Sequence, residues 1–423
     1  MREMTVRVGE GRFRGNDNAV IQRAVDEVAA AGGGAVELPA GTFMMRDALH
    51  LRSEVALVGQ GPETVLRKVP SVSSPLADYL CYAHHEITLE RPEPFEPGMG
   101  VLIQDDNAPG VYTTTATLLS REGNAFIIDR MLNHDYNPAA GGRAVSIYPI
   151  VAAECARSVR VASLTIDGGG EPERINGCRG GGVFLMQCHT VTLEGVEITG
   201  FNGDAISFQD CTDVAVRGCH LHHCAGIGLH PGGGSVRYLL SGNRIHHNGG
   251  DGIFYCLRTT HSLCERNQIH DNAGAGITIG ERDTNHVIRS NTVSRNAGPA
   301  IILREVMYRG ADRVLVEDNT FEANGEPAAC IAAGIREVTM RGNRFTSVSG
   351  AAARVGEGAE CIYLVRNTVD GVELGADHVD DASGCVSFQE PPRPLEVGPG
   401  SASARDALHL GVELPRRPAN FEV

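Results

Sequence analysis

Two aspartates recur in the same short phrase and have the spacing that paired acid–base chemistry would need. Asp204 opens the stretch DAISFQ and Asp251 opens DGIFYC, each directly after a glycine. Two carboxyl groups roughly 6.5–9.5 Å apart can protonate a glycosidic oxygen and activate a water molecule. An aspartate that follows glycine at a turn also hydrogen-bonds the turn backbone, so a structural role stays open beside the catalytic one.

The sequence around them is a tandem repeat with a period of about 22 to 28 residues, which is typical of stacked coils. From residue 181 onward, each repeat holds three short apolar pieces separated by Gly or Asn. Its asparagines fall into two columns, Asn243, Asn267, Asn291, Asn319 and Asn343, and Asn248, Asn272, Asn296 and Asn324. Stacked side-chain amides can hydrogen-bond along such a column. One repeat cannot bury its apolar face alone, so the pattern predicts a β-solenoid.

In such a solenoid the two aspartates share one corner, two coils apart. Coils repeat about every 4.8 Å, which separates the two backbones by roughly 9 to 10 Å. Side chains that lean toward each other would then reach the spacing of an inverting glycosidase.

Aligning the coils predicts which side chains line a groove. The apolar residues used for the alignment are Val183, Ile206, Ile227, Ile253, Ile277 and Ile301. Because side chains alternate across a strand, the residues two positions later should face inward: Phe208, Leu229, Tyr255 and Ile279. Those three positions later should face solvent: Met186, Gln209, His230, Cys256, Gly280 and Arg304. We therefore predict Asp204, Asp251 and His230 as catalytic residues, and the following as substrate-binding residues: Phe254, Tyr255, Glu281, Arg282, Asp283, Arg304 and Glu305.

A second chemistry fits the same groove. A uronate lyase or C5-epimerase abstracts a proton beside a carboxylate, and His230, Arg282 and Arg304 are candidates for the base. Ca²⁺ would then be a possible cofactor, although the sequence lacks a dedicated calcium-ligand spacing. Under the hydrolase hypothesis no cofactor or metal is expected. The CHLHHC stretch could suggest zinc, but its histidines continue as a column through His246 and His270, which favours stacked surface turns.

The N-terminal segment NDNAVIQRAVDEVAAAGGGAVELPAGTFM, residues 16–44, resembles the capping module of the pectate-lyase-like β-helix superfamily. Asn16 or Asp17 can cap an amphipathic helix, and such a cap covers the open end of a solenoid. The resemblance covers residues 16–70 and 151–380 and implies an all-β, right-handed parallel β-helix. Within this superfamily, the phrase around Asp251 is similar to the second acidic phrase of polygalacturonases. Ala225 and Ala275 replace two of their essential residues, so polygalacturonase activity itself is not expected.

Four segments are predicted: an N-terminal cap with the first coils (1–70), an inserted β-subdomain (71–150), the parallel coils (151–384) and an extended C-terminal tail (385–423). The insertion could form one wall of the groove.

The composition excludes several kinds of partner. The formal charge is −15, which argues against nucleic acid, because phosphate binding needs clustered Lys and Arg. No apolar run reaches the roughly 18 residues of a membrane span. The N-terminus lacks the apolar region of a secretory signal, so we expect a cytoplasmic protein, or a secreted one if a leader has been removed.

These patterns predict a carbohydrate-active enzyme with a polysaccharide or oligosaccharide substrate. A glycoside hydrolase is the first hypothesis. A uronate lyase or epimerase is the second hypothesis. A non-catalytic glycan-binding or tailspike-like scaffold is the third, since bare solenoids also serve as scaffolds. Neither the substrate nor the oligomeric state follows from the sequence.

Overall fold

The structure, a computed structural model, describes residues 4–107, 110–170, 180–304 and 310–401. Most of its strands belong to three parallel sheets. Sheet 1 contains the strands Met4–Arg7, Gly34–Glu37, Val55–Val58, Arg157–Ala162, His189–Glu194, Thr212–Arg217, Leu239–Ser241, Leu263–Glu265, His286–Arg289, Val314–Glu317, Arg336–Arg341, Glu360–Val365 and Val386–Ser387.

The other two parallel sheets follow the same order along the chain. Sheet 2 contains Gly41–Met45, Thr64–Lys68, Thr165–Asp167, Glu197–Thr199, His220–His222, Arg244–His246, Gln268–His270, Thr292–Ser294, Thr320–Glu322, Arg344–Thr346, Thr368–Val369 and, antiparallel at its end, Val372–Glu373. Sheet 3 contains Leu49–His50, Val151–Glu154, Gly181–Met186, Asp204–Gln209, Leu229–Gly232, Ile253–Phe254, Ile277–Ile279, Ile301–Leu303, Ala329–Ile331, Ala353–Val355 and Val379–Asp381. The chain visits the three sheets in turn, which confirms the predicted all-β parallel β-helix.

The single α-helix of the described residues, α1 (Asn18–Ala30), forms the predicted cap. Asp17 lies just before it in extended conformation, and its side chain accepts a hydrogen bond from Val20 N at 3.0 Å. This contact satisfies one of the free N–H groups at the helix start. One face of α1 is buried through Val20, Ile21, Ala24, Val25 and Val28.

The predicted insertion is a six-stranded sheet whose strand pairs are antiparallel. Its strands are Ser73–Pro75, Glu86–Thr88, Gly100–Gln104, Thr114–Glu122, Ala125–Ile128 and Arg143–Val145. They enclose an apolar core of their own that includes Phe95, Phe126 and Tyr136. Short 3₁₀ turns lie at Gly110–Tyr112 and Pro138–Ala140 here, and at Ala376–His378 and Pro399–Ser401 near the C-terminus. The insertion is therefore a small β-subdomain.

The chain divides into two compact units. The first consists of Met1–Leu185, Glu194–Ser207 and His220–Leu229, and the second of Met186–Leu193, Phe208–Cys219 and His230–Val423. In the first unit, Ile166 stacks in register between Leu66 and Ile198, and Ile198 pairs in turn with Leu221. All four side chains are fully buried, so each coil covers the apolar face of the next.

The second unit contains the predicted asparagine ladders. Each buried amide from Asn243 to Asn343 donates from Nδ2 to Oδ1 of the next asparagine at 2.9 Å, and the series ends at Asn367. The same Oδ1 atoms accept the backbone N–H of the preceding asparagine. The second column, from Asn248 to Asn324, repeats this arrangement. Buried polar groups of the turns are thereby satisfied by identical groups one coil away.

The described part of the C-terminal tail is hydrogen-bonded to the coils of its own unit, the second one. Gly398 N donates to Asn285 O at 3.0 Å, and Arg313 donates to the Glu396 carbonyl at 3.1 Å. Arg366 forms an ion pair with Glu390 at 2.6 Å. Residues 402–423 lie outside the described part of the chain.

Candidate active site

The two recurring aspartates make the same contact in their respective units. In the first unit, Asp204 Oδ1 accepts the backbone N–H of Ile227 at 2.8 Å. In the second, Asp251 Oδ1 accepts the backbone N–H of Ala275 at the same distance. Each carboxylate therefore fixes the start of the following coil, which is the structural role left open by the sequence.

The glycine that follows in the next coil is part of this contact. A Cβ atom at Gly226 would lie 2.4 Å from Asp204 Oδ1, and one at Gly274 would lie 2.1 Å from Asp251 Oδ1. No side chain fits at either position while the carboxylate accepts the N–H group. The Gly-Asp phrase thus recurs because both coils turn with the same hydrogen bond from a backbone N–H group to the aspartate.

The predicted alignment is wrong at one coil. Leu229, rather than Ile227, takes the place of Ile206, because Ala205 N donates to Ile227 O. Gly232 pairs with Cys256, so His230 lies level with Phe254 and does not share the Cys256 column. In this coil the strand of sheet 3 starts two residues later than the alignment assumed, so its positions move by two, while Ile253, Ile277 and Ile301 keep their predicted alignment.

His230, Phe254 and Arg304 nevertheless meet on one face of the second unit. The His230 and Phe254 rings stand edge to face with centroids 5.4 Å apart. The Arg304 guanidinium lies over the Phe254 ring at 4.5 Å, a cation–π geometry. It passes over Gly280, where a Cβ atom would lie 2.0 Å from the guanidinium. These three predicted residues form one cluster, in which Phe254 and Arg304 are half-buried and His230 is buried rather than facing solvent as predicted.

The remaining predicted binding residues divide into buried and exposed ones. Tyr255 and Asp283 are fully buried, which corrects their assignment as substrate contacts. Burial raises the Asp283 pKa to about 6 despite hydrogen bonds from Thr259 and Gly280. Glu281 and Arg282 are accessible and pair with each other at 3.0 Å. Glu305 lies outside the described residues.

A cavity in the first unit contains titratable residues that the sequence analysis missed. It measures about 360 Å³ and lies between the first coils and the inserted sheet. Its lining includes Asp47, His50, Thr117, Arg130 and Glu154. His50 comes from the first strand of sheet 3 and Asp47 from the bend just before that strand. Thr117 and Arg130 come from the insertion, and Glu154 comes from the next strand of sheet 3. The insertion thus forms one wall of this cavity.

Asp47 is the most strongly perturbed acid of the cavity. Burial raises its pKa to about 7, although hydrogen bonds from Thr117 and Ala48 act in the opposite direction. Thr117 Oγ1 donates to Oδ2 at 2.7 Å, and the Ala48 backbone N–H lies 2.8 Å from Oδ1. The inserted strand passes close by at Gly100, where a Cβ atom would lie 2.6 Å from Oδ1. A carboxyl group with this pKa can both give and take a proton near neutral pH.

His50 and Arg130 complete the polar lining. His50 Nε2 lies 4.0 Å from Asp47 Oδ2. Burial, followed by the charge of Arg130, lowers the His50 pKa, which favours the neutral imidazole. Arg130 Nη1 forms an ion pair with Glu154 at 2.8 Å, and its Nε lies 3.7 Å from Asp129. Burial alone would lower the Arg130 pKa, but these two carboxylates raise it.

A local signal for this site exists in the sequence. The phrase MMRDALHLRSE places Asp47 and His50 between apolar strand residues. A charged side chain at such a position is rarely fully buried unless it is paired, so these two residues indicate a polar site. Thr117 and Arg130 carry no comparable signal, because only the folded insertion brings them to Asp47.

Comparisons with known proteins agree with this architecture. Residues 172–305 and 232–369 match the family model described as a right handed beta helix region. No curated protein matches the sequence. Among the described residues, no helix is long and apolar enough to cross a membrane.

Several solved structures share the fold at low sequence identity. The mannuronan C-5 epimerase AlgE4 A-module of Azotobacter vinelandii is 16% identical, with a TM-score of 0.56 over 91% of this chain and 100% of that chain. The family 28 exopolygalacturonase of Yersinia enterocolitica is 15% identical, with a TM-score of 0.53 over 93% and 80%. PfbA, a surface adhesin of Streptococcus pneumoniae, is 12% identical, with a TM-score of 0.51 over 86% of each chain.

The protein is therefore a right-handed parallel β-helix protein. This is the fold that the resemblance of its N-terminal segment implied.

Proposed function

We propose that this protein is a carbohydrate-active enzyme whose chemistry takes place in the Asp47 cavity. The observation that carries the proposal is the buried Asp47 carboxyl group, whose pKa is raised to about 7. Strongly perturbed acids inside a cavity are candidates for catalytic residues. Solved proteins of the same fold include an exopolygalacturonase and an epimerase, which supports a saccharide substrate.

Glycoside hydrolysis is the reaction that the cavity supports best. It needs one carboxyl group that still carries a proton and one carboxylate that acts on water or on the sugar. Asp47 suits the first role, because its high pKa keeps it partly protonated at neutral pH. Glu154 and Asp129, both beside Arg130, are candidates for the second. In this proposal Asp204 and Asp251 hold the coils and do not form the acid–base pair.

Proton abstraction from a uronate is a second candidate. Neutral His50 could accept the proton and Asp47 could return one, while Arg130 would face the uronate carboxylate. The lowered His50 pKa favours this chemistry, because only the neutral imidazole can act as a base.

The test is a panel of neutral and uronate-containing polysaccharides, with and without added Ca²⁺. Reducing ends, unsaturated uronate ends and C5 configuration are measured for the wild type and for Asp47→Asn, Glu154→Gln and His50→Gln. Asp213→Asn is the matched control, since Asp213 is an exposed carboxylate paired with Arg237 and neither residue lines the cavity. We expect saturated products, lost in Asp47→Asn and in Glu154→Gln and retained in the control.

Other outcomes decide between the alternatives. Unsaturated or epimerised products that require His50 would establish the second candidate. Activity that survives Asp47→Asn but is lost in Asp251→Asn would move the site to the solenoid face and refute the proposal. Binding without any product would indicate a glycan-binding scaffold.

A further inference from the structure

Two histidines and a glutamate meet on neighbouring strands of sheet 2 in the first unit. Glu197 pairs in register with His220 across the strands Glu197–Thr199 and His220–His222. Residues two apart on a strand project from the same face, so His222 joins His220 on the Glu197 side. The two imidazole rings lie 4.1 Å apart.

The potential ligand atoms already converge. Glu197 Oε1 lies 3.0 Å from His222 Nε2 and 3.7 Å from His220 Nδ1. All three ligand atoms lie within 4.8 Å of one another. A tetrahedral ion bound at about 2.0–2.2 Å from each ligand holds its ligand atoms about 3.3–3.6 Å apart, which is close to the two distances from Glu197.

We propose that Glu197, His220 and His222 bind a divalent transition metal ion of the zinc class. Two imidazoles and one carboxylate are a donor set that zinc takes in sites with three protein ligands. Calcium and magnesium prefer oxygen ligands throughout, so they fit this site poorly. The side chains are 32%, 33% and 13% exposed for Glu197, His220 and His222, which leaves a path for the ion from solvent.

His223 is placed to orient one of the ligands. Its Nδ1 lies 2.7 Å from His222 Nδ1, so one of the two atoms must carry the shared proton. Without metal, Glu197 can only accept, which places a proton on His222 Nε2. An ion at Nε2 replaces that proton and leaves His222 Nδ1 to donate to His223 or to Thr199 Oγ1, which is 3.3 Å away. Such partners fix the ring of a metal-binding histidine.

A second histidine cluster provides the contrast. His247, His270 and Asp271 in the second unit also converge. There the carboxylate is already held by Arg295 through two hydrogen bonds of 2.9 and 3.0 Å. Arg295 lowers the Asp271 pKa to about 2. An incoming cation would have to compete with this arginine, so we assign the metal to the first cluster alone.

The experiment is a calorimetric titration of Zn²⁺ into the full chain after removal of metals with a chelator. We expect one ion per chain, a rise in melting temperature, and weaker binding as the pH falls below about 6.5 because protons then compete for imidazole. Co²⁺ at the same site should give visible absorption bands. The variant His220→Ala/His222→Ala should lose the ion, and the matched variant His247→Ala/His270→Ala should keep it.

Two results would overturn the assignment. One is the absence of Zn²⁺ binding to the wild type at micromolar concentrations. The other is an equal loss of binding in both double variants. Should the first variant misfold, as judged by circular dichroism, Glu197→Gln supplies the test. It keeps the hydrogen-bonding shape but removes the charge, so unchanged Zn²⁺ affinity in this variant would contradict the proposal.

Discussion

Replacing Asp47 by asparagine is expected to change how the stability of the protein depends on pH. Burial raises the pKa of Asp47 from 3.8 to about 7 in the folded protein. In the unfolded chain the group ionises near pH 4. Between these values the folded state binds more protons than the unfolded state, so the free energy of unfolding falls as the pH rises.

The size of the effect follows from the same pKa values. Each tenfold change in an equilibrium constant corresponds to about 1.36 kcal/mol. A rise in pKa from 3.8 to about 7 therefore corresponds to about 4 kcal/mol of stability lost between pH 4 and pH 8. Asparagine has the same shape and no charge, so Asp47→Asn should escape this loss.

The assay is urea denaturation followed by circular dichroism at intervals from pH 4 to pH 8. The variant should gain stability relative to the wild type by about 4 kcal/mol across this range. For Asp26→Asn, which removes an exposed carboxylate, the free energy of unfolding should depend on pH in the same way as for the wild type. A difference between Asp47→Asn and the wild type that stays constant with pH would refute the reasoning.

Three further predictions concern the coils. Asn291→Ala should lower the free energy of unfolding by at least about 2 kcal/mol in chemical denaturation, because it leaves buried donors of Asn267 unsatisfied. Gly274→Ala should lower the melting temperature, because the new Cβ would meet the Asp251 carboxylate. Asp251→Ala in the same chain removes that carboxylate and should restore part of the melting temperature; no recovery would argue against the close contact between Gly274 and the carboxylate. Burial lowers the His286 pKa to about 3, so the folded state binds fewer protons than the unfolded state between about pH 6.5 and 3. The wild type should lose stability as the pH falls through this window, and His286→Gln should lose less in the same denaturation assay.

The repeat and its ladders could be predicted because they depend on local patterns. An asparagine at a fixed place in every coil must stack on its counterparts once the coils stack. The helix α1 likewise carries its own start signal at Asp17 and its own apolar face. Such features require only the period of the sequence and the chemistry of single residues.

The register of one coil and the cavity could not be predicted in this way. Ile227 and Leu229 are both apolar, and the sequence does not tell which of them enters the strand. The cavity joins Asp47 to Thr117 and Arg130, which come from a subdomain inserted between two coils. The contact of Thr117 and Arg130 with the Asp47 cavity depends on how the inserted sheet packs against the coils. The repeat pattern of the sequence carries no information about that packing.

The ladders also determine where the chain can change its length. Neighbouring asparagines are 24 positions apart from Asn243 to Asn291, but the next step, to Asn319, takes 28. Since the hydrogen bond between the side-chain amides is 2.9 Å in each case, the four additional residues leave the ladder undisturbed. Pairing in sheets 3 and 1 places them between Leu303 and Val314. The chain can therefore gain residues between Leu303 and Val314 while the asparagine ladder keeps the coils in register.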